Sequence, residues 1–182
     1  PALSNALRRD VDSRVRVAAA RALGEIEDPS AVEPLIEALS DQSPDARRAA
    51  INALNELDSE LAMPGYVVAL SDPNVEVRRR AAIALGDLDL QQAPPELVAA
   101  LSDEDPVVRV AAARSLGEIE DPNTADALAA ALNDSSPEVR QAALYALVEL
   151  ESPLALDALI QALDSPDPSV RLRAAEALRR FR

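Results

Sequence analysis

The 182-residue sequence contains no cysteine, histidine, tryptophan or lysine, and aromatic residues make up only 2% of it. Without histidine and cysteine the chain lacks the usual general base, the thiolate nucleophile and most transition-metal ligand sets. No glycine-rich phosphate loop is present, and no apolar run is long enough to span a bilayer or to form a signal peptide. We therefore expect a cytoplasmic protein that is not an enzyme, has no catalytic residue, needs no cofactor or metal, and has no membrane partner.

The charge of the chain is strongly unbalanced, because 32 acidic residues accompany 18 basic ones and the formal net charge is −14. All of the basic residues are arginine. An acidic surplus favours solubility and opposes contact with a phosphate backbone. The composition therefore makes nucleic acid an unfavoured partner.

One segment of the sequence is repeated almost without change. The segment Val15 to Pro29 recurs at Val108 to Pro122, with Ser115 in the place of Ala22 as the one difference. The two copies lie 93 residues apart, which equals three periods of 31. An arginine recurs at that period in six places: Arg16, Arg47, Arg78, Arg109, Arg140 and Arg171. A fixed period of about 20 to 50 residues is typical of arrays in which each repeat stacks on its neighbours.

Each repeat contains an amphipathic segment of about fourteen residues, which we name the second helix. Counted from zero at Asp10, Asp41, Asp72, Asp103, Asp134 and Ser165, position nine is always alanine and position thirteen always leucine. Positions 5, 9, 12, 13 and 16 fall on one stripe about 100° wide. The start of the helix is marked by a capping residue before proline, at Ser43-Pro44, Asp105-Pro106, Ser136-Pro137 and Asp167-Pro168.

A first helix is predicted between successive second helices, because apolar residues there follow the spacing i, i+1, i+4. Asp28-Pro29, Asp121-Pro122 and Ser152-Pro153 should begin such helices, and Ser59 offers a cap alone. Pro94-Pro95 should delay the helix of the third repeat, and Pro34 and Pro64 should bend or delay theirs. The sequence therefore predicts an all-α fold of six helix pairs over residues 1–182.

The repeats also indicate an older duplication. The second repeat shares 15 of 31 residues with the fifth but only 11 with the first. We therefore predict two similar halves, 1–93 and 94–182, within one solenoid.

The repeat unit resembles the HEAT-like repeats of the bilin-lyase type over essentially the whole chain. The resemblance is carried by the turn aspartate, the Val-Arg pair, the Ala-Ala-x-x-Ala-Leu-Gly run and Asp-Pro. It implies a right-handed α-solenoid whose second helices line the concave side. It also implies a ladder that joins the six recurring arginines to Asp10, Asp41, Asp72, Asp103 and Asp134. Ser165 would break that ladder at its end.

Positions 3 to 14 of the second helices hold 14 of the 18 arginines but only four of the 32 acidic residues. Their positions 4, 7 and 11 point away from the apolar stripe, and the mixture of arginine with apolar residues there is typical of interface centres. The candidate binding residues are Arg14, Val17, Arg21, Arg48, Asn52, Arg79, Ile83, Val110, Arg114, Gln141, Tyr145 and Leu172. We predict a non-enzymatic scaffold that binds an acidic or amphipathic protein or peptide on this concave face.

The sequence leaves alternatives open. The resemblance also permits a bilin-lyase subunit or chromophore-handling factor, although few aromatic residues are available to stack on a tetrapyrrole. DNA binding, as in HEAT-like glycosylases, is opposed by the absence of lysine and tryptophan, and a solenoid without a partner is a further alternative. Pro1 to Arg8 covers the N-terminal end poorly, so self-association there is an expectation, whereas Arg179, Arg180 and Arg182 around Phe181 would form a polar cap at the other end.

Overall fold

The computed structural model describes residues 1–57 and 60–179, with the side chain of residue 60 left out. This part of the chain contains twelve α-helices and no strand, so the predicted all-α solenoid fold is confirmed. The helices are α1 (Ala2–Arg9), α2 (Ser13–Ile26), α3 (Val32–Ala38), α4 (Pro44–Glu56), α5 (Met63–Ala69), α6 (Val75–Gly86), α7 (Pro95–Ala99), α8 (Pro106–Ile119), α9 (Ala125–Ala131), α10 (Pro137–Glu149), α11 (Pro153–Ala162) and α12 (Pro168–Ala177). The predicted cap Ser59 and the predicted end residues Arg180, Phe181 and Arg182 lie outside the described residues.

The chain divides into two compact units, Pro1–Leu88 and Asp89–Arg182. Unit 1 contains α1 to α6 and unit 2 contains α7 to α12. The duplication of halves that meet near residue 93 stays a prediction.

The second helices begin where the capping pattern predicts. Proline occupies the first turn of α4, α8, α10 and α12, after Ser43, Asp105, Ser136 and Asp167 respectively. The Asp105 carboxylate accepts a hydrogen bond from the Val107 amide at 2.8 Å, which satisfies one of the donors left free at a helix start. Ser43 forms no such bond, so proline and backbone geometry alone begin α4.

Two of the predicted first helices begin later than expected. Asp28-Pro29 and Asp121-Pro122 open short 3-10 turns, Pro29–Ala31 and Pro122–Thr124, and α3 and α9 follow from Val32 and Ala125. The aspartate carboxylates accept from the amides two residues ahead, as Asp105 does at the start of α8, so this cap does not distinguish a 3-10 turn from an α-helix. Ser152-Pro153 does begin a helix directly, and Pro94-Pro95 delays α7 as expected.

The core follows the predicted stripe. All six position-nine alanines are buried, as are the first five position-thirteen leucines. Four residues depart from this pattern: Val15 is 40% exposed, Ile26 58%, Ile160 50% and Leu163 38%. They lie on the first helix pair of unit 1 and the last pair of unit 2, where no further helix pair of the described chain covers them.

Close helix packing explains two glycines that interrupt the second helices. A Cβ atom at Gly24 in α2 would lie 2.9 Å from the Cα of Ala53 in α4. One at Gly117 in α8 would lie 2.9 Å from the Cα of Ala146 in α10. The backbones of these helix pairs therefore approach too closely for any side chain at either position.

Candidate binding surface

The recurring arginines of unit 1 connect successive turns. Arg16 in α2 donates from Nε to Asp41 Oδ2 at 2.7 Å and from Nη2 to Asp41 Oδ1 at 2.8 Å. Arg47 in α4 binds Asp72 in the same two-point manner, at 2.6 and 2.7 Å. Each arginine also donates from Nη1 to the carbonyl six residues earlier, Asp10 for Arg16 and Asp41 for Arg47. One guanidinium therefore fixes its own turn and the next one.

Unit 2 repeats this arrangement with one change. Arg109 binds Asp134 at 2.8 and 2.9 Å. The position that corresponds to Asp41, Asp72 and Asp134 is Ser165 here, and Nη2 of Arg140 binds Asp167 instead. The ladder therefore continues through a neighbouring residue, but Nε of Arg140 is buried without a hydrogen-bond partner.

The two remaining ladder arginines, Arg78 and Arg171, also donate to carbonyl oxygens of their own turns. Nη1 of Arg78 lies 2.9 Å from the carbonyl of Asp72, and Nη1 of Arg171 lies 2.7 Å from the carbonyl of Ser165. Arg47 and Arg78 are only 9% and 7% exposed. Arg47 and Arg78 therefore leave little guanidinium surface for a partner.

Ionisation of the ladder carboxylates is favoured by these contacts. Burial alone would raise the pKa of Asp41, but hydrogen bonds from Arg16 and the Ser43 amide outweigh it and hold the pKa below its ordinary value. The pKa of Asp134 is lowered in the same way, with Arg109 and the Ser136 amide opposing burial. Both carboxylates are therefore anions at neutral pH.

All twelve candidate binding residues reach the surface. Seven are exposed: Arg14, Arg21, Asn52, Arg114, Gln141, Tyr145 and Leu172. Five are half-buried: Val17, Arg48, Arg79, Ile83 and Val110. They occupy second helices of both units, and each unit contains one groove that gathers several of them.

The groove of unit 1, the α2–α4 groove, is an open cleft of about 350 Å³. It is lined by Ser13, Arg14, Val17, Ala18, Arg21, Asp45 and Arg48. Asp45 pairs with Arg48 at 2.9 Å, and Asp12 outside the groove pairs with Arg14. Arg21 makes no hydrogen bond or ion pair with any described residue. With three arginines and one acid in its lining, this groove is basic.

The remaining candidate arginine of unit 1, Arg79, and its neighbour Arg80 are already neutralised by a carboxylate. Glu76 accepts from Arg79 at 2.7 Å and from Arg80 at 2.9 Å, which lowers its pKa to about 2. Arg80 also donates to Asn52 at 2.7 Å. These contacts leave the α2–α4 groove as the place in unit 1 where candidate arginines are most available.

The groove of unit 2, the α8–α10 groove, is larger, at about 470 Å³. It is lined by Arg114, Gly117, Glu118, Glu120, Ala142, Tyr145, Ala146 and Glu149. It follows the C-terminal halves of α8 and α10, whereas the α2–α4 groove follows the N-terminal halves of its helices. The N-terminal halves of these helices supply mainly arginines and the C-terminal halves mainly glutamates. The α2–α4 groove is therefore basic, whereas the α8–α10 groove is acidic.

Tyr145 is the exposed aromatic side chain of the α8–α10 groove. Arg173 in α12 lies with its Cζ 5.7 Å from the ring centre and donates to the hydroxyl at 3.0 Å. Hydrogen bonds from Gln141 and Arg173 lower the pKa of Tyr145. Sequence analysis identified Gln141 and Tyr145 but not Arg173, whose position eight does not belong to the outward-facing set.

The chain matches the family model for HEAT repeats over residues 1–65, 63–147 and 125–182. No curated protein sequence matches it. Among solved structures it is similar to the complex of CpcE and CpcF of phycocyanin lyase from Nostoc sp. PCC7120, with 26% identity and a TM-score of 0.71 over 98% of this chain and 75% of that chain. It is also similar to YibA of E. coli, with 25% identity and a TM-score of 0.69 over 98% and 67% of the two chains. A designed armadillo repeat protein in complex with the peptide (KR)4 has 21% identity and a TM-score of 0.69 over 100% and 99%.

No helix among the described residues combines the length and apolar character needed to cross a membrane. The same residues contain no group of three or more His, Cys, Asp or Glu side chains that could hold a metal ion.

Proposed function

The chain belongs to the HEAT-repeat family, and from that premise we propose that it is a non-catalytic scaffold whose second helices bind a protein or peptide. The proposed contacts are the candidate residues that line the α2–α4 groove, Arg14, Val17, Arg21 and Arg48, on the face that the family resemblance makes concave. The α2–α4 groove supports this proposal most directly, because three arginines line it beside a single acid.

The lining of the α2–α4 groove favours an acidic, amphipathic partner. Arg14, Val17 and Arg21 are spaced i, i+3, i+7 and lie on one face of α2. A free guanidinium such as that of Arg21 matches a carboxylate at two points, and half-buried Val17 offers apolar contact between the two arginines. A segment with carboxylates on either side of an apolar residue fits this arrangement.

Similar folds also support a role in binding polypeptides. The solved structure of CpcE and CpcF is a complex of two proteins, and the designed armadillo repeat protein holds a peptide. That peptide is basic, so the charge of the ligand proposed here comes from the α2–α4 groove and not from the likeness.

The proposal is tested by fluorescence anisotropy at low salt with two labelled peptides, one alternating Glu and Leu and one alternating Lys and Leu. We expect the Glu-Leu peptide to bind. Arg21→Glu should weaken its binding about tenfold or more, since like charges would meet in the groove.

Arg114→Glu is the matched control, because Arg114 is the counterpart of Arg21 three repeats later and lies in the glutamate-rich α8–α10 groove. It should change binding less than about twofold. Preference for the Lys-Leu peptide, or equal losses in the two variants, would contradict the proposed site.

A second candidate function is that of a bilin-lyase subunit or chromophore-handling factor. It is favoured by the 26% identity with the CpcE and CpcF structure. In the α8–α10 groove, exposed Tyr145 could stack on a pyrrole ring while Arg114 binds a carboxylate side chain. Titration with biliverdin, followed by absorbance, distinguishes the two functions: a spectral shift that is lost in Tyr145→Ala supports this candidate, and an unchanged spectrum eliminates it.

A further inference from the structure

The α8–α10 groove of unit 2 has a close equivalent in unit 1. Each of its eight lining residues has a counterpart 93 residues earlier, and seven of the eight counterparts are the same amino acid. We name these counterparts the sister site; they are Arg21, Gly24, Glu25, Glu27, Ala49, Asn52, Ala53 and Glu56. The one difference is Tyr145 in the place of Asn52. Both sets therefore hold three glutamates and one arginine, and their charge does not distinguish them.

The floor of the α8–α10 groove is open, whereas that of the sister site is covered. A Cβ atom placed on Gly117 would have Ala146 as its nearest neighbour, with the Cα at 2.9 Å. On Gly24 the nearest neighbour would be Oε2 of Glu56, so this carboxylate lies across the glycine. Glu149, the counterpart of Glu56, is not among the nearest neighbours of Gly117, and a cleft of about 470 Å³ lies there. A long side chain can therefore enter the α8–α10 groove along a floor of glycine and alanine.

The residue that differs between the two sites already holds a guanidinium group. Cζ of Arg173 lies 5.7 Å from the centre of the Tyr145 ring, and Nη1 donates to its hydroxyl at 3.0 Å. Arg173 does not line the groove, so the part of the ring that does so is available to a ligand. In the sister site Arg80, the counterpart of Arg173, donates to Asn52 at 2.7 Å. Asparagine satisfies that arginine but offers no aromatic surface to a second one.

An arginine side chain matches the chemistry of the α8–α10 groove. A planar guanidinium stacks on an aromatic ring, and its N–H donors bind carboxylates at two points. The exposed carboxylates of Glu118, Glu120 and Glu149 line the groove together with Tyr145, which is 52% exposed. The apolar stem of arginine can lie along the floor while its charged end reaches these groups. Lysine brings the same charge without the planar, two-point geometry, so arginine is the preferred ligand.

We infer that the α8–α10 groove binds an arginine side chain of a partner polypeptide, between Tyr145 and the glutamates of the groove. Three glutamates against Arg114 leave a surplus of two negative charges, which attracts such a segment. The inference rests on unit 2 alone and goes beyond the acidic ligand proposed for the α2–α4 groove. Either one can therefore fail without the other.

Fluorescence anisotropy tests the inference with two labelled peptides of equal charge, one alternating Arg and Gly and one alternating Lys and Gly. We expect the Arg-Gly peptide to bind about fivefold more tightly or better. Tyr145→Asn, which gives the groove the composition of the sister site, should weaken its binding about fivefold or more. Tyr145→Phe keeps the ring and should weaken binding less than about twofold.

Two glutamate variants distinguish the groove from a general attraction to an acidic protein. Glu118→Gln removes a carboxylate from the groove and should weaken binding of the Arg-Gly peptide about threefold or more. Glu25→Gln, at the counterpart in the sister site, removes the same charge and should change binding less than about twofold. Circular dichroism checks that each variant is folded. Failure of the Arg-Gly peptide to bind, equal affinity for the two peptides, equal losses in the two glutamine variants, or wild-type binding by Tyr145→Asn would overturn the inference.

Discussion

Arg140 binds Asp167 and not residue 165, although its counterparts Arg16, Arg47 and Arg109 each bind the aspartate 25 residues ahead. Serine at 165 offers a single oxygen in the place of a carboxylate, and Nε of Arg140 is left buried without an acceptor. An unsatisfied buried donor lowers the stability of the folded state, so the turn at Ser165 should be less stable than the turns that contain aspartate.

Ser165→Asp should therefore stabilise the protein. The new carboxylate can accept from Nε and Nη2 together, and we expect the free energy of unfolding to rise by about 1 kcal/mol. Urea denaturation at neutral pH measures the change. Gln161→Glu is the control, because it adds the same charge at an exposed site of α11 without reaching the ladder. A Ser165→Asp variant no more stable than this control would refute the explanation.

Arg47 and Arg48 are adjacent in sequence, but Arg47 belongs to the ladder whereas Arg48 forms a surface ion pair with Asp45. The stabilities of their alanine variants can therefore be compared directly. Arg47→Ala should lower the free energy of unfolding by about 3 kcal/mol, because it leaves the Asp72 side chain, which is 8% exposed, without its counter-charge. Arg48→Ala breaks only a surface pair with Asp45 and should cost less than about 1 kcal/mol. Chemical denaturation of both variants provides the measurement. Equal losses would mean that the ladder contributes no more than a surface ion pair.

Gly117→Ala should destabilise unit 2 even though alanine is the better helix former. Its Cβ would lie 2.9 Å from the Cα of Ala146, so α8 and α10 would have to separate. We expect a loss of about 1–3 kcal/mol in thermal or urea unfolding. Arg114→Ala, on the exposed side of the same helix, should change stability by less than about 0.5 kcal/mol. A neutral Gly117→Ala variant would show that the backbones are not so closely packed.

Acid should destabilise the fold through the ladder carboxylates. The pKa values of Asp41 and Asp134 lie below their ordinary values in the folded chain, and that of Asp167 is about 2. The unfolded chain therefore takes up protons first as the pH falls, so this stability is complete above about pH 5 and is lost from about pH 4 downward. With no histidine in the chain, stability should be nearly constant between about pH 6 and 8.

Urea unfolding at constant ionic strength tests the acid dependence, and Asp134→Asn should make it shallower. A loss of stability that begins above about pH 6 would require a different titrating group.

The helix pairs could be predicted because local signals agree with the repeat period. The apolar stripe, the capping residue and the proline after it each indicate the same second helix. The 3-10 starts at Pro29 and Pro122 could not be distinguished, since the residues that open them also open α-helices. Val15 and Leu163 occupy apolar positions that the pattern predicts to be buried, yet both are exposed. The pattern does not indicate which helix pairs have a neighbour on each side.

The exposure of the candidate residues could be predicted from the sequence, but their division between two grooves could not. Sequence spacing identifies which residues point outward, and all twelve do reach the surface. Whether they line a groove depends on how closely two helices approach, which Gly24 and Gly117 determine through contacts with Ala53 and Ala146. The contact of Arg173 with Tyr145 likewise joins residues 28 positions apart, and no periodicity within one helix indicates it.

Each ladder contact takes its two halves from different repeats, so an isolated repeat could not complete one. The smallest fragment that satisfies a guanidinium and its aspartate spans two consecutive repeats, as with Arg16 and Asp41. Unfolding one repeat therefore removes a counter-charge from its neighbour, which couples their melting. Within each unit, amide hydrogen exchange should be fastest at the outermost turns. It should be slowest where a ladder arginine binds both its own turn and the aspartate of the next, so that unfolding begins at the ends and proceeds inward.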